Sequence, residues 1–321
     1  MKKLIPSALL LAVAGVAQAQ VSVYGLIDAS YGRSIQDNLA GLKADFHSGG
    51  DDGSGQGNST TRVGVKASAD VGTAVKANVR LESAGITSDG QVGAPGQAFF
   101  NRQAWAGFSG SFGEVRLGRQ DSLPFQTMID FDFNGAANMA SAFGSAGAAI
   151  WGRGRQSRSL QYIAPELMPG LKVQGGFTPE DHAAAPAVGA KANFGFGVTY
   201  SAGPLAVAVS GESKRTNASS NFTSVAGRYD FGVAKVMLGY ANGGTNQKGI
   251  NAGVMAPVAG FSVGLNFAKN SDTKSTGLEL FANKEIFKNT YAYLDVGRLD
   301  DKSSGTSVKG TGYALGVIYV F

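Results

Sequence analysis

Apolar and polar residues alternate along most of this sequence, and a period of two restricts the fold more than any other feature. One segment shows it over eight residues: Val75, Lys76, Ala77, Asn78, Val79, Arg80, Leu81 and Glu82. The same alternation runs through 21–30, 63–69, 205–210, 261–267 and 313–321. Alternation is typical of β-strands with one apolar face. No helical period of comparable strength competes, apart from a short apolar stretch within 123–150, so the chain is predicted to be all-β.

The connections between these strands alternate in length. Seven short turns rich in Gly, Pro, Asp and Asn lie near 70–73, 110–113, 165–170, 202–204, 229–232, 257–260 and 286–289. Eight longer polar segments lie near 35–58, 84–98, 121–152, 178–187, 214–221, 241–248, 269–275 and 300–307. Fifteen connections join sixteen strands, with both termini on the short-turn side. Short turns at one end and long loops at the other are typical of antiparallel outer-membrane barrels, with the turns facing the periplasm.

Composition excludes several classes of function. The chain has 321 residues and no cysteine, which excludes disulfide scaffolds, Cys-based zinc sites and thiol catalysis. It has only two histidines, His47 and His182, so neither a histidine metal cluster nor a His-dependent triad is expected. We therefore predict no catalytic residue, metal or cofactor.

The first nineteen residues have the pattern of a secretory signal. Lys2 and Lys3 precede an apolar run at 4–16, and Ala17-Gln18-Ala19 is a small-x-small cleavage motif. The run is short for a membrane anchor. We predict a signal peptide at 1–19, exported by the Sec route, and a barrel at 20–321. Removing two of the 28 basic residues leaves 26 against 23 acidic ones, or +3, which gives no support for nucleic-acid binding.

Closure of the sheet follows from the membrane environment. An open sheet of this length would leave two edges of unpaired backbone groups, and lipid offers these groups no hydrogen-bond partner. Sixteen strands enclose an aqueous lumen that the polar face can line. A soluble β-sandwich or a β-helix is the alternative, but the short repeat period of a β-helix is absent.

With the strands placed, the chain resembles the general porins of Gram-negative bacteria, in particular the trimeric type of the β-proteobacteria. The resemblance covers the mature chain and rests on VSVYGLID at 21–28, TRVGVK at 61–66, FNRQAWAGFSGSFG at 100–113, LGRQ at 117–120 and SLQY at 159–162. It implies a homotrimer and a third loop folded into the lumen. It also implies an apolar C-terminal signal, Tyr319 and Phe321, for the barrel-assembly machinery.

Two departures from the family pattern concern the end of the chain and the third loop. The family usually ends in Gly-x-x-His/Arg-x-Phe, whereas Gly316–Phe321 is more apolar here. The segment 136–149 is small and mostly neutral where the family usually has more charge. The second departure concerns selectivity and leaves the architecture unchanged.

The resemblance also implies a basic side of the pore facing acidic residues of the third loop. Alternation and the family pattern assign six arginines to the basic side: Arg62, Arg80, Arg102, Arg116, Arg153 and Arg155. The opposing carboxylates are Asp121, Asp130 and Asp132. Four lysines are predicted to line wider parts of the lumen: Lys66, Lys76, Lys172 and Lys235. A ring of arginines favours anions.

The leading functional hypothesis is passive diffusion of small hydrophilic solutes and ions through a trimeric outer-membrane porin, with a modest preference for anions. Outer-membrane lipids, including lipopolysaccharide, are the expected surroundings. A substrate-selective channel on the same barrel is the alternative that the neutral third loop favours. From a different class, a barrel enzyme would need a Ser/His pair that involves His47 or His182. A plugged adhesive barrel would pass no sugar in a liposome-swelling assay.

Overall fold

The computed structural model describes residues 19–51, 56–92, 98–136, 138–180 and 189–321. Within these residues one antiparallel sheet of seventeen strands closes on itself. Its strands are β1 (Gln20–Arg33), β2 (Asp45–Ser48), β3 (Arg62–Gly72), β4 (Val75–Ala84), β5 (Gln103–Gly110), β6 (Gly113–Asp121), β7 (Arg155–Ile163), β8 (Leu171–Thr178), β9 (Asn193–Ala202), β10 (Leu205–Glu212), β11 (Phe222–Asp230), β12 (Lys235–Asn242), β13 (Lys248–Val258), β14 (Phe261–Asn270), β15 (Thr276–Phe287), β16 (Thr290–Asp301) and β17 (Val308–Val320). The helices are α1 (Ile35–Leu39), α2 (Leu123–Met128), α3 (Ala142–Ser145) and a 3-10 helix (Ile129–Phe131).

The ring has sixteen strand positions although seventeen strands form it. Strand β2 lies beside one half of β1, where Ala29–Gly32 pair with Asp45–Ser48. Strand β3 lies beside the other half, where Gln20–Leu26 pair with Arg62–Ser68. On its other edge β1 pairs with β17, which closes the ring. The predicted sixteen-stranded antiparallel barrel is confirmed, with β2 and β3 sharing one position.

The predicted alternation of short turns and long loops is also confirmed. Connections of two to seven residues follow β3, β5, β7, β9, β11, β13 and β15, and connections of five to thirty-three residues lie at the other end. The two faces of a strand differ as alternation predicts. In β12, Leu238 is 70% exposed on the outer face, whereas its neighbour Met237 is 1% exposed on the inner face. The outer face is the apolar band that lipid requires.

No helix within the described ranges is long and apolar enough to cross a membrane.

The third loop, here L3 (residues 122–154), folds into the barrel as predicted and packs on the inner wall. Helix α2 contacts β9 and β10, and α3 contacts β14 and β15. Glycines on the wall permit this close approach. A Cβ atom on Gly277 would lie 2.4 Å from the carbonyl oxygen of Ala142, and one on Gly297 would lie 2.2 Å from that of Ala140. The hydrophobic core therefore lies between L3 and the wall rather than at the barrel centre.

Candidate functional site

A space of about 880 Å³ separates L3 from the wall formed by the first strands of the barrel. Four arginines line it: Arg62, Arg102, Arg119 and Arg155, here called the basic wall. Arg62 and Arg155 begin β3 and β7, Arg119 lies near the end of β6, and Arg102 directly precedes β5. None of the lining residues within the described ranges is acidic. The charge that faces this space is therefore of one sign.

Two carboxylates next to the basic wall hold part of it in place. Glu82 on β4 is almost fully buried, and its Oε1 lies 2.5 Å from Nε of Arg102. Its Oε2 lies 2.9 Å from a guanidinium nitrogen of Arg80. Asp121 lies with its Oδ1 3.3 Å from Nε of Arg155. The hydrogen bonds to Glu82 fix the direction of the Arg102 and Arg80 guanidinium groups, whereas Asp121 faces Arg155 as an ion pair.

The other two arginines of the basic wall hydrogen-bond to neutral oxygens. Arg62 donates to the carbonyl of Thr60 at 3.0 Å and to Oγ of Ser59 at 3.2 Å. Arg119 donates to the carbonyl of Asn101 and to Oγ of Ser157, at 2.6 and 2.7 Å. No ion pair to either arginine occurs in the part of the chain that the structure describes. Their positive charges are therefore the least compensated of the four.

The L3 side of the same space is mostly apolar, with Asn134 as its polar side chain among the described residues. It presents Phe125, Ile129, Ala136 and Trp151, here called the apolar wall. Ser122 caps α2 by accepting a hydrogen bond from the backbone of Phe125. This directs one face of α2 toward the barrel, while Phe125 and Ile129, one turn apart, face the space. The predicted opposition of arginines and loop carboxylates is thus replaced by an opposition of arginines and apolar side chains.

The three predicted loop carboxylates lie elsewhere, which corrects that part of the sequence analysis. Asp121 belongs to β6 and pairs with Arg155, so it stands on the arginine side. Asp130 is exposed, and it is its backbone carbonyl that accepts a hydrogen bond from Arg228 at 2.9 Å. Asp132 is only 7% exposed and points away from the space, toward Asn266 of β14. Alternation carries no information on side-chain direction inside an irregular loop.

Asp132 belongs to a group of buried carboxylates between L3 and the wall. Glu279 and Asp295 are fully buried beside it, and Asn134 donates to both, at 2.7 and 3.0 Å. All hydrogen bonds to the three carboxylates in the described residues come from backbone or asparagine amides. Burial raises the pKa of Asp132 to about 7, because desolvation disfavours its charged form. This group, here called the acidic anchor, attaches L3 to β14, β15 and β16.

The remaining predicted arginines lie outside the space. Arg80 pairs with Glu82 and lines a second recess toward the short-turn end. Arg116 pairs with Glu114 at 2.6 Å and lies over the Trp105 ring. Arg153 bonds to Glu212 of β10. Alternation places Arg80 and Arg116 on the inner face but does not give their height along the barrel axis, and Arg153 belongs to L3.

The predicted lysines are spread along the barrel. Lys66 lines the same recess as Arg80. Lys76 and Lys235 pair with Asp70 and Asp230 beside short turns, at 3.6 and 3.5 Å. Lys172 of β8 is exposed two residues before the inward-facing Gln174.

The C-terminal aromatic residues lie at the seam of the barrel. The Tyr319 and Phe321 rings are stacked with centroids 6.2 Å apart. Phe321 exchanges two backbone hydrogen bonds with Gly25 of β1.

Sequence analysis missed Arg119 and the role of Glu82. Strict alternation from Arg116 places Arg119 on the outer face. The pairing of β6 with β7 shifts register between Gly118 and Gln120, however, and Gly118 has a φ of +138°. Gly118 opposes Ser159 and Gln120 opposes Gln156, so the extra residue lies on β7. Arg119, at this irregular position, lines the space beside L3. In the sequence, Gly118 was the available signal of an irregular strand next to Arg119. Glu82 was placed on the polar face of its strand, but its pairing with Arg102 and Arg80 was not predicted.

His47 belongs to β2 and does not line the space beside L3. His47 lies with Nδ1 3.9 Å from Oδ2 of Asp51 in the first loop. His182 and residues 1–18 of the predicted signal peptide lie outside the described residues. Among the described residues no group of three or more potential metal ligands comes together.

Comparisons with known proteins agree with this geometry. The family model described as Gram-negative porin matches residues 7–304. Outer membrane porin protein 32 of Delftia acidovorans is 28% identical, over 99% of this chain and 95% of that protein. An outer membrane porin protein of Bordetella pertussis is 29% identical, over 99% of this chain and 90% of that protein.

Solved structures share the same fold. An anion-selective porin from Comamonas acidovorans superposes with a TM-score of 0.75 at 22% identity, covering 95% of this chain and all of that one. OmpT of Vibrio cholerae, an outer membrane protein in a trimer form, superposes with a TM-score of 0.65 at 16% identity, covering 94% and 99%.

A closed sixteen-position barrel with an apolar exterior and a charged space beside an inward loop defines a channel-forming protein of the outer membrane. The chain belongs to the Gram-negative porin family. Its place is the outer membrane, and the relatives it matches are named as porins, which are channels rather than enzymes.

Proposed function

We propose that this porin conducts small hydrophilic solutes and ions passively, with a marked preference for anions. The observation that carries the proposal is the basic wall: four arginines line the space beside L3, and no described lining residue is acidic. Guanidinium groups stay charged at every physiological pH. The preference would be stronger than the modest one expected from the sequence, because Asp130 and Asp132 do not line the space opposite the arginines and Asp121 lies on the arginine side.

Screening does not remove this preference. At physiological ionic strength charges act over about 8 Å, which is comparable with the width of a narrowed pore. Glu82 and Asp121 reduce the positive charge but lie behind the guanidinium groups that they bind. The description of the Comamonas porin as anion-selective is consistent with the proposal.

The proposed assembly is a homotrimer surrounded by outer-membrane lipids, including lipopolysaccharide. Tyr319 and Phe321 would be read by the barrel-assembly machinery after export directed by the signal at 1–19. The channel would need no cofactor and would carry out no reaction. Chemical cross-linking of the refolded protein in detergent tests the trimer. A monomer band alone would contradict it.

The reversal potential of single channels under a KCl gradient tests the anion preference. The informative variant is the double substitution Arg62→Gln/Arg119→Gln, because both arginines bond to neutral oxygens and their removal leaves no carboxylate unpaired. The matched control is Lys76→Gln/Lys235→Gln, which removes the same charge beside the short turns.

We expect an anion-favouring potential in the wild type and in the control, and a markedly weaker one in the arginine variant. A cation-favouring potential in the wild type contradicts the proposed preference. An equal effect of both double substitutions contradicts the assignment to the basic wall.

A further inference from the structure

We infer that the space beside L3 selects organic anions with a flat apolar body, such as aryl sulfonates and aryl carboxylates, over compact anions of the same charge. The inference rests on the proposed anion preference and adds a substrate class to it. It comes from the unequal character of the two sides: the basic wall on one, the apolar wall on the other.

The apolar wall is formed by separate stretches of L3, between which Asn134 and Gly135 also line the space. Phe125 and Ile129 are half-buried, so part of each side chain is covered by the core and part faces the space. Trp151 lies at the far end of the loop and is 8% exposed. A strongly hydrated inorganic anion loses water beside such a surface and makes no favourable contact in return. An aromatic ring binds there favourably, because the contact removes apolar area of both the ring and the wall from water.

The basic wall suits an oxyanion at the same time. Arg102 is held by the buried carboxylate of Glu82, so its remaining N–H groups point in fixed directions, and Arg155 forms an ion pair with Asp121. Arg62 and Arg119 have no carboxylate partner among the described residues, and the N–H groups that they do not donate to neutral oxygens can bind a ligand oxygen. Planar guanidinium groups bind carboxylate and sulfonate oxygens through paired hydrogen bonds. A volume of about 880 Å³ lies within the range of small-molecule sites.

An anion that uses both walls stays longer in the channel than chloride, so it should reduce the chloride current. The experiment measures single-channel KCl conductance against the concentration of an added probe. Benzenesulfonate and methanesulfonate differ only in the apolar body, and both keep their charge throughout the neutral pH range. Phenyltrimethylammonium carries a ring and the opposite charge.

We expect benzenesulfonate to halve the conductance at a concentration about tenfold lower than methanesulfonate, a ratio equivalent to about 1.4 kcal/mol. Phenyltrimethylammonium should have little effect. Equal inhibition by the two sulfonates overturns the inference and leaves the anion preference intact, since the KCl reversal potential measures that separately. Inhibition by phenyltrimethylammonium equal to that by benzenesulfonate also overturns it, because the ring alone would then suffice.

Two substitutions in L3 separate the apolar wall from the packing of the loop. Phe125→Ala removes a ring that faces the space, whereas Phe133→Ala removes one that packs on the core near Gly253 and does not line the space. We expect Phe125→Ala to lower the ratio between the sulfonates several-fold and Phe133→Ala to keep it. A ratio unchanged in Phe125→Ala, or lowered equally in both variants, overturns the role assigned to the apolar wall.

Discussion

Asn134 donates a hydrogen bond of 2.7 Å from its side-chain amide to Oε1 of Glu279 and so joins L3 to β15 across 145 positions of the chain. The second oxygen of Glu279 accepts from the backbone N–H of Ala142 at 3.0 Å. One carboxylate thus anchors L3 at two points. The position of the loop, and with it the width of the pore, depends on the acidic anchor as much as on apolar packing.

Glu279→Ala is expected to loosen L3. It removes the acceptor of the buried Ala142 N–H and one of the two acceptors of the Asn134 amide, at a cost of about 1–3 kcal/mol for each unsatisfied donor. We expect noisier and larger single-channel conductance, and faster swelling of liposomes in sugars larger than those the wild type admits. Glu285→Ala, at an exposed position of the same strand, is the control and should behave as wild type. A Glu279→Ala channel that excludes the same sugars as wild type would show that packing alone holds L3.

Asp132 makes the stability of the barrel depend on pH. Burial raises its pKa from the ordinary 3.8 to about 7, so between these values the folded protein binds more protons than the unfolded chain. The free energy of unfolding should therefore fall as pH rises from 5 to 7 and then level off. Urea unfolding midpoints in detergent micelles measure this. Asp132→Asn should reduce the slope, whereas Asp130→Asn at the exposed neighbour should keep it. Equal slopes in wild type and Asp132→Asn would contradict the prediction.

Glu82→Gln should increase the anion preference. The substitution removes a negative charge behind Arg102 and Arg80 and leaves both guanidinium groups in the lumen. The expected result is a reversal potential shifted further toward that of an ideal anion channel, together with lower stability, since Glu82 is a buried partner. Glu114→Gln removes the partner of Arg116 outside the space beside L3 and serves as the control. A shift toward cations in Glu82→Gln is the contrary outcome.

Gly297→Ala should narrow the pore. A Cβ atom there would lie 2.2 Å from the carbonyl oxygen of Ala140, so L3 must move toward the lumen to accommodate it. We expect a smaller single-channel conductance from a barrel that still refolds. Gly72→Ala has no atom within 4 Å of the new Cβ and should conduct as wild type. Conductance unchanged by Gly297→Ala would show that the wall yields instead of the loop.

The regular part of the fold could be predicted because its information is local. Strand alternation and turn residues act over two to four positions, and the turn at Gly110–Gly113 illustrates how directly they appear in the sequence. Helix α1 could also have been predicted, because Ser34 and Asp37 have the spacing of a capping box. This helix was not predicted.

The site itself depends on longer-range relationships. Asp132 meets Asn266 of β14, and Arg155 meets Asp121 across the whole of L3. No periodicity links such positions. The sequence therefore predicted Arg62, Arg102 and Arg155 of the basic wall, but it placed the carboxylates on the wrong side of the pore. The position of Arg119 was also missed, because the register shift between β6 and β7 at this point is not visible as a periodicity.

The seam of the barrel has a consequence for the timing of biogenesis. Strand β1 takes β17 as its neighbour, with Leu26 opposite Val320 and Arg33 opposite Tyr313. The ring therefore cannot close until the ribosome has made β17. Until then the backbone N–H and C=O groups on one edge of β1 have no strand partner. Joining segments so far apart is entropically expensive and slow. A chain built this way must be kept from associating with other chains throughout its passage to the membrane, so the demand for chaperoning is set by topology rather than by the strength of any single contact.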